Sequence, residues 1–106
     1  MKFTLNPAPT FEAPVPIPVP GKGPVDVVFT FKYRDSEEAK AFAKNASKDK
    51  KRSDVDHMMQ IVTGWNIEDA EFNKKNLALL FKRYPTAAMA IQAVYFAELA
   101  GVRRKN

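Results

Sequence analysis

Apolar and polar residues alternate most regularly between residues 25 and 33. The apolar positions of this stretch are Val25, Val27, Phe29, Phe31 and Tyr33. Strict alternation built from β-branched and aromatic residues is typical of a strand that buries one face. We therefore predict a strand at about 25–33, the clearest strand signal in the chain.

Prolines alternate with β-branched residues immediately before this strand, at about 14–20. Successive strand residues point their N–H groups to opposite sides, so prolines at every second position remove donors from one side only. The other side stays free to pair, as in an edge strand that is protected against association. The alternative is a polyproline II arm for a proline-binding module. Because a Gly-Lys-Gly-Pro turn and a matching strand follow, we predict a β-hairpin, which a short strand at 3–5 could extend.

Helical spacing replaces this alternation in the remainder of the chain. Asp35 or Ser36, Ser53 or Asp54, and Asn73 are suitable N-caps for three successive helices. Their apolar stripes are Ala39, Phe42, Ala43 and Ala46; Val55, Met58, Met59 and Val62; and Leu77, Leu80 and Phe81. Gly64 is expected to end the second helix, and Tyr84 the third, because it precedes a proline. Trp65 is expected to fill the core under the connecting loop rather than to anchor a partner.

The fourth helix is predicted between Pro85 and Gly101, and it is apolar on nearly every side. One stripe contains Ala88, Ile91, Tyr95 and Leu99, and a second contains Met89, Ala93, Phe96 and Ala100. Such a helix must be covered on most sides, yet 106 residues provide few elements to cover it. Either the chain wraps it as a central core helix, or one stripe faces its own domain while the other contacts a partner protein.

The predicted fold class is α+β, with the N-terminal hairpin packed on a bundle of about four helices. We expect a single domain over residues 1–106, because no repeat and no long linker divides the chain. Within it we distinguish a hairpin region at 3–34, a helical region at 36–101 and a basic tail at 102–106. The tail is expected to be disordered.

Composition restricts the possible functions without identifying one. The formal net charge of +5 arises from 17 basic and 12 acidic residues, a modest excess that would favour acidic partners or nucleic acid. The chain has no cysteine, which fits a reducing cytoplasm. We expect no secretion, because the N-terminus lacks a signal-peptide pattern. The basic run at 48–52 is expected to be a solvated loop.

No motif predicts catalysis, a cofactor or a metal. Gly21 and Gly23 lie between strands and not before a helix, so they do not form a phosphate-binding loop. The single histidine, His57, lies off the apolar stripe of its helix, and we expect it on the surface rather than in a zinc site. Carboxylates at residues 68–71 lie in a polar loop that gives no reason for a raised pKa. We therefore predict that the protein is not an enzyme and acts by contact.

The C-terminal half resembles the tail assembly chaperones of long-tailed bacteriophages (siphophage type, including prophage-encoded members). The residues that carry the resemblance are Gly64, Trp65, Asp69, Phe72, Asn76, Leu77, Leu80, Tyr84, Pro85, Ala88, Ile91, Tyr95, Leu99 and the closing Arg104, Lys105 and Asn106. The hairpin stretches fit more loosely, so the resemblance spans nearly the whole chain. No single motif is diagnostic, and the resemblance rests on the combined spacing of these residues. Lys75 departs from the acidic residue usual before Asn76.

The resemblance implies a non-catalytic factor made in the cytoplasm of an infected or lysogenic bacterium and absent from the mature virion. Such proteins bind the tape measure protein, keep it soluble and extended, and help to recruit tail tube protein around it. Many also have a longer form made by ribosomal frameshifting. No membrane association or cofactor is implied.

We place the partner-binding site on the second stripe of the last helix, at Met89, Ala93, Phe96 and Ala100, which could also support a homo-oligomer. Two alternatives remain for the function. One is a small basic nucleic-acid-binding module, and the other is a structural tail subunit built into the particle. The position of the aromatic residues within apolar stripes, away from the basic runs, favours protein binding.

Overall fold

A computed structural model describes residues 2–48 and 51–101 of the chain. Its elements are β1 (Thr10–Val19), β2 (Gly23–Lys32), α1 (Ser36–Lys48), α2 (Asp54–Met58), β3 (Val62–Trp65), α3 (Lys74–Arg83) and α4 (Ala87–Leu99). The strands form one antiparallel sheet in the order β1-β2-β3. The predicted α+β class, the N-terminal hairpin and the four helices are confirmed for the described residues. The predicted tail at 102–106 and part of the loop at 48–52 lie outside them.

The proline-rich strand β1 is an edge strand, as its sequence predicts. Val15 pairs with Val27, and Ile17 pairs with Val25. The N–H of Val28 points away from β1, because it donates to Oδ1 of Asn66 (2.9 Å) beyond the other edge of β2. Because neighbouring strand residues point their N–H groups to opposite sides, the N–H groups of the odd-numbered residues of β2 point towards β1. The backbone nitrogens of the prolines in β1 point the other way, to the outer edge of the sheet. The exposed rim therefore has no N–H donor at residues 14, 16 and 18.

The third strand, β3, replaces the C-terminal part of a predicted helix. Val62 fits the helical stripe, but α2 ends at Met58, and Val62–Trp65 pairs with β2 instead. The second edge of β2 needs hydrogen-bond partners, and residues 61–66 supply them: Lys32 N–H donates to the Ile61 carbonyl (2.8 Å). The prediction of one helix from residue 53 to Gly64 was wrong, because a distant strand competes for the same β-branched residues.

The segment before β1 forms no strand. The side chains of Phe3 and Leu5 are 94% and 87% exposed, and residues 2–9 have no partner strand among the described residues. The predicted extension of the sheet at 3–5 was therefore wrong. The segment before β1 joins the sheet through a hydrogen bond from Tyr33 N–H to the Pro9 carbonyl (2.9 Å).

The core lies between one face of the sheet and helix α4. Its fully buried large side chains are Val15, Phe29, Phe31, Met58, Ile61, Val62, Leu77, Ile91 and Tyr95. Phe29 and Phe31 face the core as the alternation predicts, and α4 packs directly on β1. Val25 and Tyr33, at the two ends of the predicted inward face, are exposed. Trp65 fills the space below the following loop, as expected: it packs edge-on against Phe72 (ring centroids 5.1 Å apart) and donates from Nε1 to the Ala70 carbonyl (2.7 Å).

Tyr95 joins α4 to the end of the hairpin. Its ring stacks on Phe31 (5.4 Å) and lies parallel to Phe11 (6.2 Å). Its hydroxyl donates to the Lys32 carbonyl (2.9 Å) and accepts from Nη1 of Arg34 (2.8 Å). Burial raises the pKa of Tyr95 above its ordinary value, and the Arg34 guanidinium opposes this effect.

Local signals set the ends of the helices. Asp35 and Glu38 form a capping box at α1, because each side chain accepts a bond from the other's backbone N–H (2.8 and 3.1 Å). Asn73 caps α3 by accepting from Asn76 N–H (2.7 Å). Gly101, with φ of 74°, follows the C-cap of α4 in the left-handed conformation. These capping predictions are confirmed.

Candidate protein-binding surface

Helix α4 divides its apolar residues between the core and solvent. Ala87, Ile91, Val94 and Tyr95 are buried against the sheet. On the other flank, Met89 is 75% exposed, and Ala93 and Ala100 are also exposed. The described part of the chain therefore does not wrap the whole helix, and one of its stripes is left open to solvent.

Phe96 lies at the boundary between these two flanks. It is half-buried, and its ring packs edge-on against the buried Tyr95 at 5.2 Å. The structure thus brings together all four predicted site residues on one flank of α4. Met89, Ala93 and Ala100 are accessible, whereas Phe96 also contributes to the core. We call Met89, Ala93, Phe96 and Ala100 the α4 stripe.

A groove separates α4 from α1 and runs beside the α4 stripe. Two depressions, each of about 360 to 370 Å³, lie end to end along it. Phe96 and Ala43 line both depressions, so they lie at the centre of the groove. Its other lining residues are Asp35, Ser36, Ala39, Lys40, Ala46, Ser47, Arg52, Asp54, His57, Gln92, Leu99 and Ala100. We call this the α1–α4 groove.

Helix α1 forms the outer wall of the groove and is weakly held. None of its residues is buried. Its main attachment is Phe42, whose ring contacts the Arg34 guanidinium (4.0 Å) and stacks on His57 (5.1 Å). His57 in turn lies 3.3 Å from the Gln92 side chain of α4. His57 was expected on the surface; its ring is half-buried, lines the groove and connects α1 to α4.

Sequence analysis missed the contribution of α1 to this surface. The apolar residues Ala39, Ala43 and Ala46 indicated a buried side, yet Ala43 is exposed. Alanines bury little area, so they do not draw α1 onto α4 as a row of leucines would. The alanines of α1 can be recognised as part of a binding surface only once α1 and α4 have been placed together, because the aromatic residue beside them, Phe96, belongs to the other helix.

The described residues show no arrangement that suggests metal or acid–base chemistry. No group of three potential metal-ligating side chains occurs among residues 2–48 and 51–101. The pKa of Asp56 lies below its ordinary value, chiefly because the Lys74 ammonium is 2.7 Å away and Ser53 also bonds to it. This pair joins α2 to α3 at the surface, away from the groove. No described helix is long and apolar enough to cross a membrane.

Comparison with known proteins identifies a family. The family model described as "Phage tail assembly chaperone" matches residues 1–106, the whole chain. No curated protein and no solved structure matches the chain significantly.

Proposed function

Because the chain belongs to the family of phage tail assembly chaperones, we propose that it binds the tape measure protein, keeps it soluble and extended, and helps to recruit tail tube subunits around it. It acts in the cytoplasm of the host bacterium, from a phage or prophage gene, and is absent from the mature virion. We assign it no catalytic role.

The observation that supports this proposal most strongly is the uncovered flank of α4. A small domain that leaves Met89 and the neighbouring apolar residues in solvent loses the free energy that their burial would provide, about 25 cal/mol per Å². Contiguous exposed apolar surface is typical of a binding site for another polypeptide. Met89 suits such a role, since its unbranched side chain adapts to partners of different shape.

The proposed mechanism is the shielding of apolar helices. A tape measure segment covers the α4 stripe with its own apolar side chains, so neither surface remains available for aggregation. The stripe is short, and interfaces of small area are weak. Release during tail tube assembly then requires no energy source, because tube subunits that bind the tape measure more tightly displace the chaperone.

Co-expression with the tape measure protein of the same phage tests this function. The wild-type chain is expected to increase the soluble fraction of the tape measure protein and to co-purify with it. Met89→Glu should abolish both effects, because a carboxylate cannot be buried cheaply in an apolar contact. Leu79→Glu, at a 37% exposed leucine of α3, is the matched control and should retain them.

Phe96→Glu is expected to act in the same direction but needs a fold control, since Phe96 packs on Tyr95. Unchanged circular dichroism and melting would show that its loss of binding is a surface effect. An undiminished soluble yield with both Met89→Glu and Phe96→Glu would contradict the proposed site.

Two measurements separate the alternative functions. Binding to nucleic acid weakens steeply with added salt, whereas an apolar contact does not. A structural tail subunit would be present in purified virions, and a chaperone would not. Mass spectrometry of purified particles therefore decides between assembly factor and component.

A further inference from the structure

The α4 stripe has the residue spacing of a coiled-coil seam. Its residues Met89, Ala93, Phe96 and Ala100 follow one another at intervals of four, three and four positions. This is the spacing of the a and d residues through which two helices pack side by side. The spacing holds to the end of the stripe, because Ala100, the C-cap of α4, still has a right-handed helical conformation. The stripe therefore has the form of one half of a contact between two helices.

Large and small side chains alternate along the α4 stripe. Met89 and Phe96 are large, whereas Ala93 and Ala100 are small. In a parallel pair of two α4 helices, each residue would meet its own copy. The Met89 and Phe96 layers would then be overpacked, and the two alanine layers would leave gaps.

An antiparallel pair of α4 helices, centred halfway along the stripe, removes this mismatch. Met89 then meets Ala100 of the second copy, and Phe96 meets Ala93 of the second copy. Each of the four layers combines one large side chain with one small one, so all four are filled to a similar volume. The order of sizes along the stripe is therefore complementary to itself in the antiparallel direction.

Charge on α4 does not oppose such a pairing. The stripe carries no charged residue, and Glu98 is the one charged residue of Ala87–Leu99. Glu98 follows Met89 by nine positions, which at about 3.6 residues per turn is two and a half turns. The carboxylate is therefore attached on the side of the helix opposite the stripe, and no charge has to be buried when two stripes meet.

We propose that two copies of the chain associate about a two-fold axis through antiparallel contact of their α4 stripes. A two-fold axis uses the same patch on both copies, as the matched layers require. Four seam residues per copy are far fewer than the roughly 20 residues a side of a stable interface, so the dimer is weak and dissociates on dilution. The pairing is a property of the free chain and does not depend on the proposed function. Any polypeptide that binds the same stripe competes with it.

Cysteine cross-linking tests the register, because the chain has no cysteine of its own. Met89→Cys mixed with Ala100→Cys should form a disulfide between copies, since the two positions share a layer. Met89→Cys alone should not, because its two copies lie eleven residues apart along the helices, about 17 Å at about 1.5 Å per residue. A disulfide joins Cα atoms less than about 7 Å apart. Met89→Cys mixed with Thr63→Cys, at an exposed residue of β3, is the matched control.

Sedimentation velocity over a concentration series measures the affinity. Ala93→Phe places two aromatic rings in one layer and should raise the dissociation constant of the dimer at least about tenfold. Ala41→Phe adds the same ring to an exposed alanine of α1 that lines neither depression, and should leave the constant unchanged. Added salt should tighten the dimer, because it screens the repulsion between two copies of net charge +5.

An exchange of sizes within one layer tests the pairing without disturbing the core. Met89→Ala leaves two alanines in the layer and should weaken the dimer. Adding Ala100→Met returns the large side chain from the other copy, so the double variant should regain the affinity of the wild type.

Three outcomes would overturn the proposal. A disulfide that forms faster in Met89→Cys alone than in the mixture with Ala100→Cys would indicate a parallel pair. A wild type that stays monomeric at every concentration and forms no mixed disulfide would exclude the dimer and leave the proposed function intact. Association that is lost in Phe3→Ser with Leu5→Ser but kept in Ala93→Phe would show that the exposed N-terminal segments exchange instead.

Discussion

Tyr95 shows how one residue can serve both the core and the polar end of the sheet. Its ring is fully buried among aromatic side chains, while its hydroxyl satisfies the Lys32 carbonyl and receives a bond from Arg34. The sequence placed Tyr95 on the inward stripe correctly from helical spacing. It could not identify Lys32 and Arg34 as partners, because they lie more than sixty residues away in the chain.

We expect Tyr95→Phe to lower the free energy of unfolding by about 1 to 2 kcal/mol at neutral pH, because the Lys32 carbonyl loses its donor and the ring is kept. Thermal unfolding followed by circular dichroism measures the change.

A second consequence concerns the dependence of stability on pH. Since the folded-state pKa of Tyr95 is raised, its contribution is present below the unfolded value of about 10 and is lost as pH rises through the folded pKa.

The wild type should therefore lose stability more steeply than Tyr95→Phe above about pH 10. Tyr84→Phe, at a tyrosine with no side-chain hydrogen bond to any of residues 2–48 and 51–101, is the matched control for the removal of a hydroxyl group. Parallel alkaline slopes for wild type and Tyr95→Phe would contradict the burial of a neutral hydroxyl.

Among the elements, helix α1 is attached to the core chiefly through one aromatic side chain. Phe42 contacts Arg34 and His57, and no residue of α1 is fully buried. The sequence predicted the start of α1 from its N-cap candidates, Asp35 or Ser36, and its apolar side from helical spacing. It did not show that this side is made of alanines too small to close onto α4.

Phe42→Ala is expected to loosen α1 without unfolding the sheet. The cation–π contact and the aromatic stacking together contribute about 1 to 2 kcal/mol. Amide hydrogen exchange in α1 should therefore become about tenfold faster, while exchange in β1 and β2 stays the same. Phe42→Tyr keeps the ring and should keep the protection. Equal acceleration across the whole protein would indicate that α1 is part of the cooperative core.

Strand β3 marks the limit of sequence reasoning at the level of elements. Local periodicity in residues 55–62 is compatible with a helix, and only the unpaired edge of β2 decides against it. That edge is not visible until the hairpin has been positioned. By contrast, the hairpin itself was predictable, because its turn and both alternating stretches are adjacent in the chain.

At the scale of the whole molecule, the prolines of β1 control association through the sheet edge. Val15 and Ile17 use their N–H groups within the hairpin, and the outward positions between them have no donor. Main-chain pairing of another strand at this edge is therefore disfavoured, and the candidate site on α4 does not use it.

Replacing Pro14, Pro16 and Pro18 together by valine should restore three outward donors and raise strand propensity. We expect concentration-dependent association beyond that of the wild type, measured by sedimentation velocity. Pro7→Val, in the segment before β1, is the control and should behave as the wild type. A triple variant with unchanged sedimentation would show that the edge is protected by something other than its missing donors.

The contact between β1 and α4 has a consequence for biosynthesis. Phe11 and Tyr95 pack together although 84 positions separate them in the chain, so this part of the inner face of the hairpin has no cover until α4 has been made. The completed hairpin therefore waits for the synthesis of residues 33–99 before α4 can cover it. A member of a chaperone family thus passes through an interval in which its own apolar surface is uncovered.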